Sequence, residues 1–235
     1  MMKKFAIFIL VFVVLALVYS YHQARQNALG EALVSNAYYG DLTAVKENLE
    51  EGAPLSHVLY FDDEDRQYTG VEFNALQAAA SSGNEDLLNF LIDQGLPVDA
   101  PTPNGWTPLF IAARDGRAEA AKLLLFRGAD VNARTNQNAT PLTMVLTQKF
   151  PTEKERLSLL EYMLKRGANL ALQDAYGHTP LYYALHTQNP EALRLLLEYG
   201  AQPDAESRRV LAQTALRSDT RSQKITALFK KKAVQ

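Results

Sequence analysis

No cysteine occurs in the 235 residues of this chain. No disulfide holds its fold, thiol chemistry is impossible, and a lipid-modified cysteine anchor is excluded. Histidine is scarce, at His22, His57, His178 and His186. The last two fall close together, yet a metal or acid–base site needs further carboxylate or histidine partners, and the sequence places none convincingly beside them. No P-loop, no G-x-S-x-G and no glycine-rich dinucleotide turn appears. The acidic run Asp62-Asp63-Glu64-Asp65 lacks the alternating spacing and the glycine of a calcium loop, so it reads as a solvated loop. The chain is expected to be a non-enzyme without catalytic residues, metal, cofactor or small-molecule substrate.

Charge is also absent from one long stretch. Lys3 and Lys4 precede an uncharged apolar run from Phe5 to Tyr19. That is the layout of an export signal, and no polar face interrupts it between Phe5 and Val18. A bilayer span needs about 20 residues, with about 17 as the lower end, so residues 1–21 read as a signal peptide or a short signal anchor. Val18 and Ser20 are small enough for a cleavage site after Ser20. The leading lysines put the amino terminus in the cytoplasm and everything after Tyr21 on the far side. Residues 22–30 read as a linker.

The formal net charge of −2 hides an asymmetry. Residues 21–205 hold 24 acidic and 14 basic side chains, whereas residues 206–235 hold eight basic and two acidic. An acidic body argues against nucleic-acid binding, which depends on neutralising phosphates. The basic tail reads as a solvated helix face.

What the chain has in quantity is repetition. Thr107-Pro108-Leu109-Phe110 recurs as Thr140-Pro141-Leu142-Thr143 and Thr179-Pro180-Leu181-Tyr182, with Asn74-Ala75-Leu76-Gln77 in the same slot upstream. The spacings are 33, 33 and 39 residues. Leucine-rich runs closing on Gly95, Gly128, Gly167 and Gly200 confirm the phase, and a degenerate copy closes on Gly52. Each unit predicts two short helices. The threonine caps the first, proline occupies its first turn, and a glycine ends the second. Neither helix can bury its apolar side alone, so each unit must stack on the next.

These residues resemble the ankyrin repeat, whose period is 33 residues and whose signature is T-P-L-H-x-A. The resemblance implies an all-α solenoid of about five helix-turn-helix units over residues 31–205. The units span about 31–68, 69–101, 102–134, 135–173 and 174–205. A helical cap with a basic tail follows at 206–235, where a sixth unit begins and is abandoned, and the hydrophobic signal or anchor helix precedes the array. The signature histidine is replaced by Gln77, Phe110, Thr143 and Tyr182, and the mid-repeat glycine by Lys149 and Gln188. Six extra residues around KFPTEK lengthen the fourth unit, and HVLYFDDEDRQYTGVEF inserts an extended finger before the second.

The resemblance also implies a protein partner held on a concave strip of finger tips and first-helix ends. By position, that strip takes Phe73, Ser81, Ser82, Asn104, Trp106, Arg114, Asp115, Asn136, Gln137, Tyr176, His178 and His186. Tyr60, Phe61 and Tyr68 on the inserted finger offer a second contact. Trp106, the one tryptophan, with Arg114 and Asp115, is the expected centre, because aromatic and arginine side chains carry most interface energy. The leading expectation is an exported scaffold, bacterial in origin, tethered at the inner membrane with its repeats in the periplasm, or soluble there after cleavage. The competing readings are a structural spacer of an envelope assembly acting through its tail or convex face and, more narrowly, an inhibitor or immunity protein for an exported enzyme.

Overall fold

The computed structural model describes residues 2–63, 68–217 and 219–232, with side chains described over 12–61, 70–217 and 219–230. Helix α1 runs from Met2 to Tyr39 and α2 from Leu42 to Glu50. A hairpin of β1 (Val58–Asp63) and β2 (Tyr68–Asn74) follows. Four helix pairs come next: α3 (Ala75–Ser82) with α4 (Glu85–Asp93), α5 (Pro108–Arg114) with α6 (Ala118–Phe126), α7 (Pro141–Thr147) with α8 (Glu153–Lys165), and α9 (Pro180–His186) with α10 (Pro190–Glu198). The chain closes with α11 (Ala205–Ala215) and α12 (Thr220–Lys232).

The helix starts fall where the sequence puts them. Asn74, Thr107, Thr140 and Thr179 each accept a hydrogen bond from the amide three residues on, which satisfies a donor the helix cannot. The first helices form one layer, α1 on α3, then α5, α7, α9 and α11. The second helices from α4 to α12 form the other layer. Between the layers lies a continuous core that includes Leu76, Leu88, Leu109, Leu124, Leu142, Leu160, Leu181 and Leu196.

Three expectations need correction. The inserted finger is a β-hairpin, so the fold is not all-α. Its strands alternate: Leu59, Phe61, Val71 and Phe73 pack inward while Val58, Tyr60 and Glu72 face solvent, the period-two pattern of a half-buried strand. Residues 22–30 are not a linker but the middle of α1. The segment HQARQNAL contains no proline or glycine and is mostly residues that tolerate helix well. Gly30 follows inside the helix because the His57 ring packs there, 2.3 Å from the point a β-carbon would occupy. The sixth unit is not abandoned either. Helix α11 stacks on α9 and α12 on α10, burying Ser207, Thr214, Ser222 and Ile225.

The described side chains in the N-terminal half of α1 make no part of this core. Every side chain from Phe12 to Arg25 is exposed, and packing begins around Leu29 and Gly30. Part of the expected leader, up to Val11, lies outside the described side chains. Among the described residues, no helix is long and apolar enough to cross a membrane.

Candidate protein-binding surface

The turns before α5, α7 and α9 are built alike. The Thr102 amide donates to the Trp106 carbonyl and the Trp106 amide to the Thr102 hydroxyl, while the Thr102 carbonyl accepts from the Gly105 amide. Thr135 and Ala139 repeat the arrangement, and Asp174 and His178 repeat it with a carboxylate in place of the hydroxyl. The tips are also joined. The Asn136 amide donates to the Asn104 carbonyl at 3.1 Å, and the Ala175 amide to the Gln137 carbonyl at 2.9 Å. The fingers therefore form a fixed edge along units three to five.

Behind each finger, residues four apart rise along the first helix on one face. The unit-two row, Phe73-Gln77-Ser81, is closed: all three are buried, and Gln77 donates to the Ala100 carbonyl at 2.8 Å. In unit three the row is Trp106-Phe110-Arg114. Trp106 and Phe110 rings lie 5.6 Å apart, and the Arg114 guanidinium sits 5.0 Å from the Trp106 ring centre. Unit four has only short side chains there, Ala139, Thr143 and Thr147. Unit five returns to rings. His178 stacks on Tyr182 at 3.8 Å with a 3° angle between planes, and Tyr182 on His186 at 5.9 Å and 7°. Tyr176 extends the ladder at the tip, 6.1 Å from His178.

Asp174 holds this ladder in place. Its carboxylate accepts from the Tyr183 hydroxyl and from the amides of Tyr176 and His178. Burial pushes its pKa up, but those hydrogen bonds and the nearby His178 outweigh burial and hold it below the ordinary 3.8. Burial, and next the Asp174 bond, raise the Tyr183 hydroxyl above its usual range. Asp204 behaves as Asp174 does: burial raises it, while bonds from Ser207 and Thr179 bring it down overall.

The sequence-predicted contacts divide sharply. Phe73 is fully buried in the hairpin root, 5.3 Å from Phe61, which itself lies 4.5 Å from Tyr38. Phe61 is a partly buried packing residue, and among the described side chains Tyr60 is the one hairpin aromatic that projects, at 63% exposure. The Tyr68 side chain and the acidic cluster lie outside the described side chains. Ser81 is buried and donates to Asp115 at 2.6 Å, while Ser82 bonds the Ala79 carbonyl within its own helix. Arg114 and Asp115 pair at 3.4 Å with side chains only 13% and 10% exposed, so the expected centre is largely an internal network. Trp106 is half-buried against the core. Asn104, Asn136, Gln137, Tyr176 and His186 are open to solvent, and His178 is partly so. Tyr182, Tyr183 and Asp174 were missed as site residues. The signal was present in their spacing from His178, four and five residues on and four back. Among the described residues, no group of three metal-ligating side chains comes together.

Comparison with known proteins agrees with this architecture. The family model for ankyrin repeats in three copies matches residues 33–135 and 136–233, the second match running through α11 and α12. An ankyrin repeat, SAM and basic leucine zipper domain-containing protein 1 from Dasypus novemcinctus is 28% identical over 61% of this chain and 31% of its own length. A putative ankyrin repeat-containing protein from Treponema pallidum is 29% identical over 61% of this chain and 46% of its own. A putative ankyrin repeat protein from Rickettsia bellii is 30% identical over 52% and 36%. The chain thus spans less than half the length of these relatives. Ankyrin repeats are protein-interaction modules. With the stacked pairs, the linked fingers and a family match over most of its length, the chain belongs to the ankyrin repeat family.

Proposed function

We propose that the chain captures one protein partner on its finger and first-helix face, with unit five as the anchor, while α1 holds the array at a membrane. The observation that carries the binding reading is the ladder Tyr176-His178-Tyr182-His186, rigidly mounted yet open, beside the short side chains of unit four. A partner ridge fits that low row with rings along one side. Central aromatic anchors of this kind contribute about 2 kcal/mol or more each when desolvated. The mechanism is surface complementarity without a covalent step.

The membrane reading rests on Lys3 and Lys4 ahead of an uncharged run, and on the exposure of every described apolar residue from Phe12 to Tyr21. Its topology is a cytoplasmic amino terminus with the repeats on the far side, the periplasm in a bacterial cell. Cleavage near Ser20 would instead leave a soluble array.

A photo-crosslinking residue at position 176, with position 126 on α6 as control, tests the face. A discrete adduct at 176 alone, identified by mass spectrometry, supports the assignment. The same smear at both positions, or no adduct, sinks it. Alkaline carbonate extraction tests the tether separately, since full-length protein that leaves the membrane fraction is not anchored.

A further inference from the structure

A second surface lies at the opposite end of the helices from the fingers. An open groove of about 720 Å³ runs between units four, five and six, where first helices end and second helices begin. Four cations line it, Lys149, Arg156, Arg221 and Lys224, against two carboxylates, Glu153 and Glu191. Glu153 is already engaged, by Arg156 at 3.0 Å and by the Asn189 amide group at 2.6 Å. Arg156 also donates to the Val145 carbonyl at 2.7 Å. Among the described residues, Lys149, Arg221 and Lys224 make no ion pair, so three cations face Glu191 alone.

The groove is a consequence of the lengthened loop in unit four, and that loop is fixed. The Lys149 carbonyl packs against Gly116 of unit three, 2.6 Å from where a β-carbon would sit. The Arg156 guanidinium covers the Phe150 ring at 5.1 Å. Helices α8, α10 and α12 all begin at this groove, adding the positive ends of their dipoles to the field. Lys149 and Arg156 come from the acidic body and Arg221 and Lys224 from the basic tail, so the groove lies where the two meet.

We infer that the groove is a second docking site, separate from the finger face, and that it takes an extended, Asp- and Glu-rich peptide segment of a partner protein. Its concavity suits a chain that threads between three units. Lys149, Arg221 and Lys224 are each exposed around that concavity, so their charges can be reached by such a chain. Charge complementarity of this kind sets partner choice and association rate and weakens with salt.

The test uses the full chain and a fluorescein-labelled oligoglutamate peptide, read by fluorescence anisotropy. The triple variant Lys149→Glu, Arg221→Glu, Lys224→Glu should weaken binding by about tenfold or more, consistent with like-charge repulsion. The single neutralising variants Lys149→Gln and Lys224→Gln should each weaken it with unchanged circular dichroism, which covers a triple variant that folds poorly. Lys230→Glu, outside the groove, should have little effect, and Tyr176→Ala on the finger face should have none. Equal loss with Lys230→Glu would mean diffuse tail charge and overturn the proposal. So would binding to phosphatidylserine vesicles, dependent on the same lysines, in a protein that ignores the peptide.

Discussion

Gly116 adopts φ +68°, a conformation other residues avoid, and the Lys149 carbonyl occupies the space a side chain would need. Gly116→Ala should therefore destabilise the protein by about 1–3 kcal/mol or more, the range for a residue forced into the left-handed region. Urea denaturation measures it, and Gly177→Ala, at φ +81° with open space around it, should cost less. The Tyr183–Asp174 bond makes a prediction with a sign. Asp174 is held below 3.8 in the folded chain, so its contribution is present above that pH and is lost as pH falls through the folded value. Tyr183 is held above 10.0, so its contribution is present below that pH and is lost as pH climbs through the folded value. Tyr183→Phe should cost about 2 kcal/mol near neutral pH, as for a hydrogen bond to a charged group, and should flatten both flanks of the stability profile. The cap threonines were legible in the sequence because a cap acts over three residues. The burial of Phe73 was not, because it depends on Phe61 and Tyr38, which only the folded hairpin brings to it.

Elements differ in how far local sequence determines them. Helices α5, α7 and α9 open on Thr-Pro and needed no tertiary information. The hairpin alternates in sequence, but its pairing, with a register irregularity between Phe61 and Asp62, is a long-range choice. It is also a structural element more than a binding one. Phe73→Ala should cost about 3–5 kcal/mol, the usual loss for a buried phenylalanine, with a corresponding fall in the thermal midpoint. An unchanged midpoint would contradict the packing described above. Helix α1 divides the other way. Removing residues 1–21 should leave the thermal midpoint of the array nearly unchanged, because the described side chains of that stretch bury nothing in the core. It should also release the protein from membranes if the proposed tether is right.

For the whole molecule, stability is a sum of units and the contacts between neighbours. The last pair shields the apolar face of unit five, so deleting residues 217–235 should expose α10 and lower the thermal midpoint. Hydrogen exchange should show protection lost first in α9 and α10 and retained in units two and three. Uniform loss would mean that the array melts as one body. The period of the repeat gave this stacking directly. The groove at the turn end was not legible, since it needs residues from three units and a loop whose course only packing decides. Helix α1 has a mechanical consequence at this scale. It passes without a break from exposed stretch to first repeat, so its two halves share one phase. Each residue of an α-helix turns about 100° and advances about 1.5 Å. One residue inserted between Tyr21 and Leu29 should swing the finger face through that angle about the shaft, and about seven should bring it almost round again. Partner capture in cells that follows this helical periodicity would identify α1 as a spindle that aims the array.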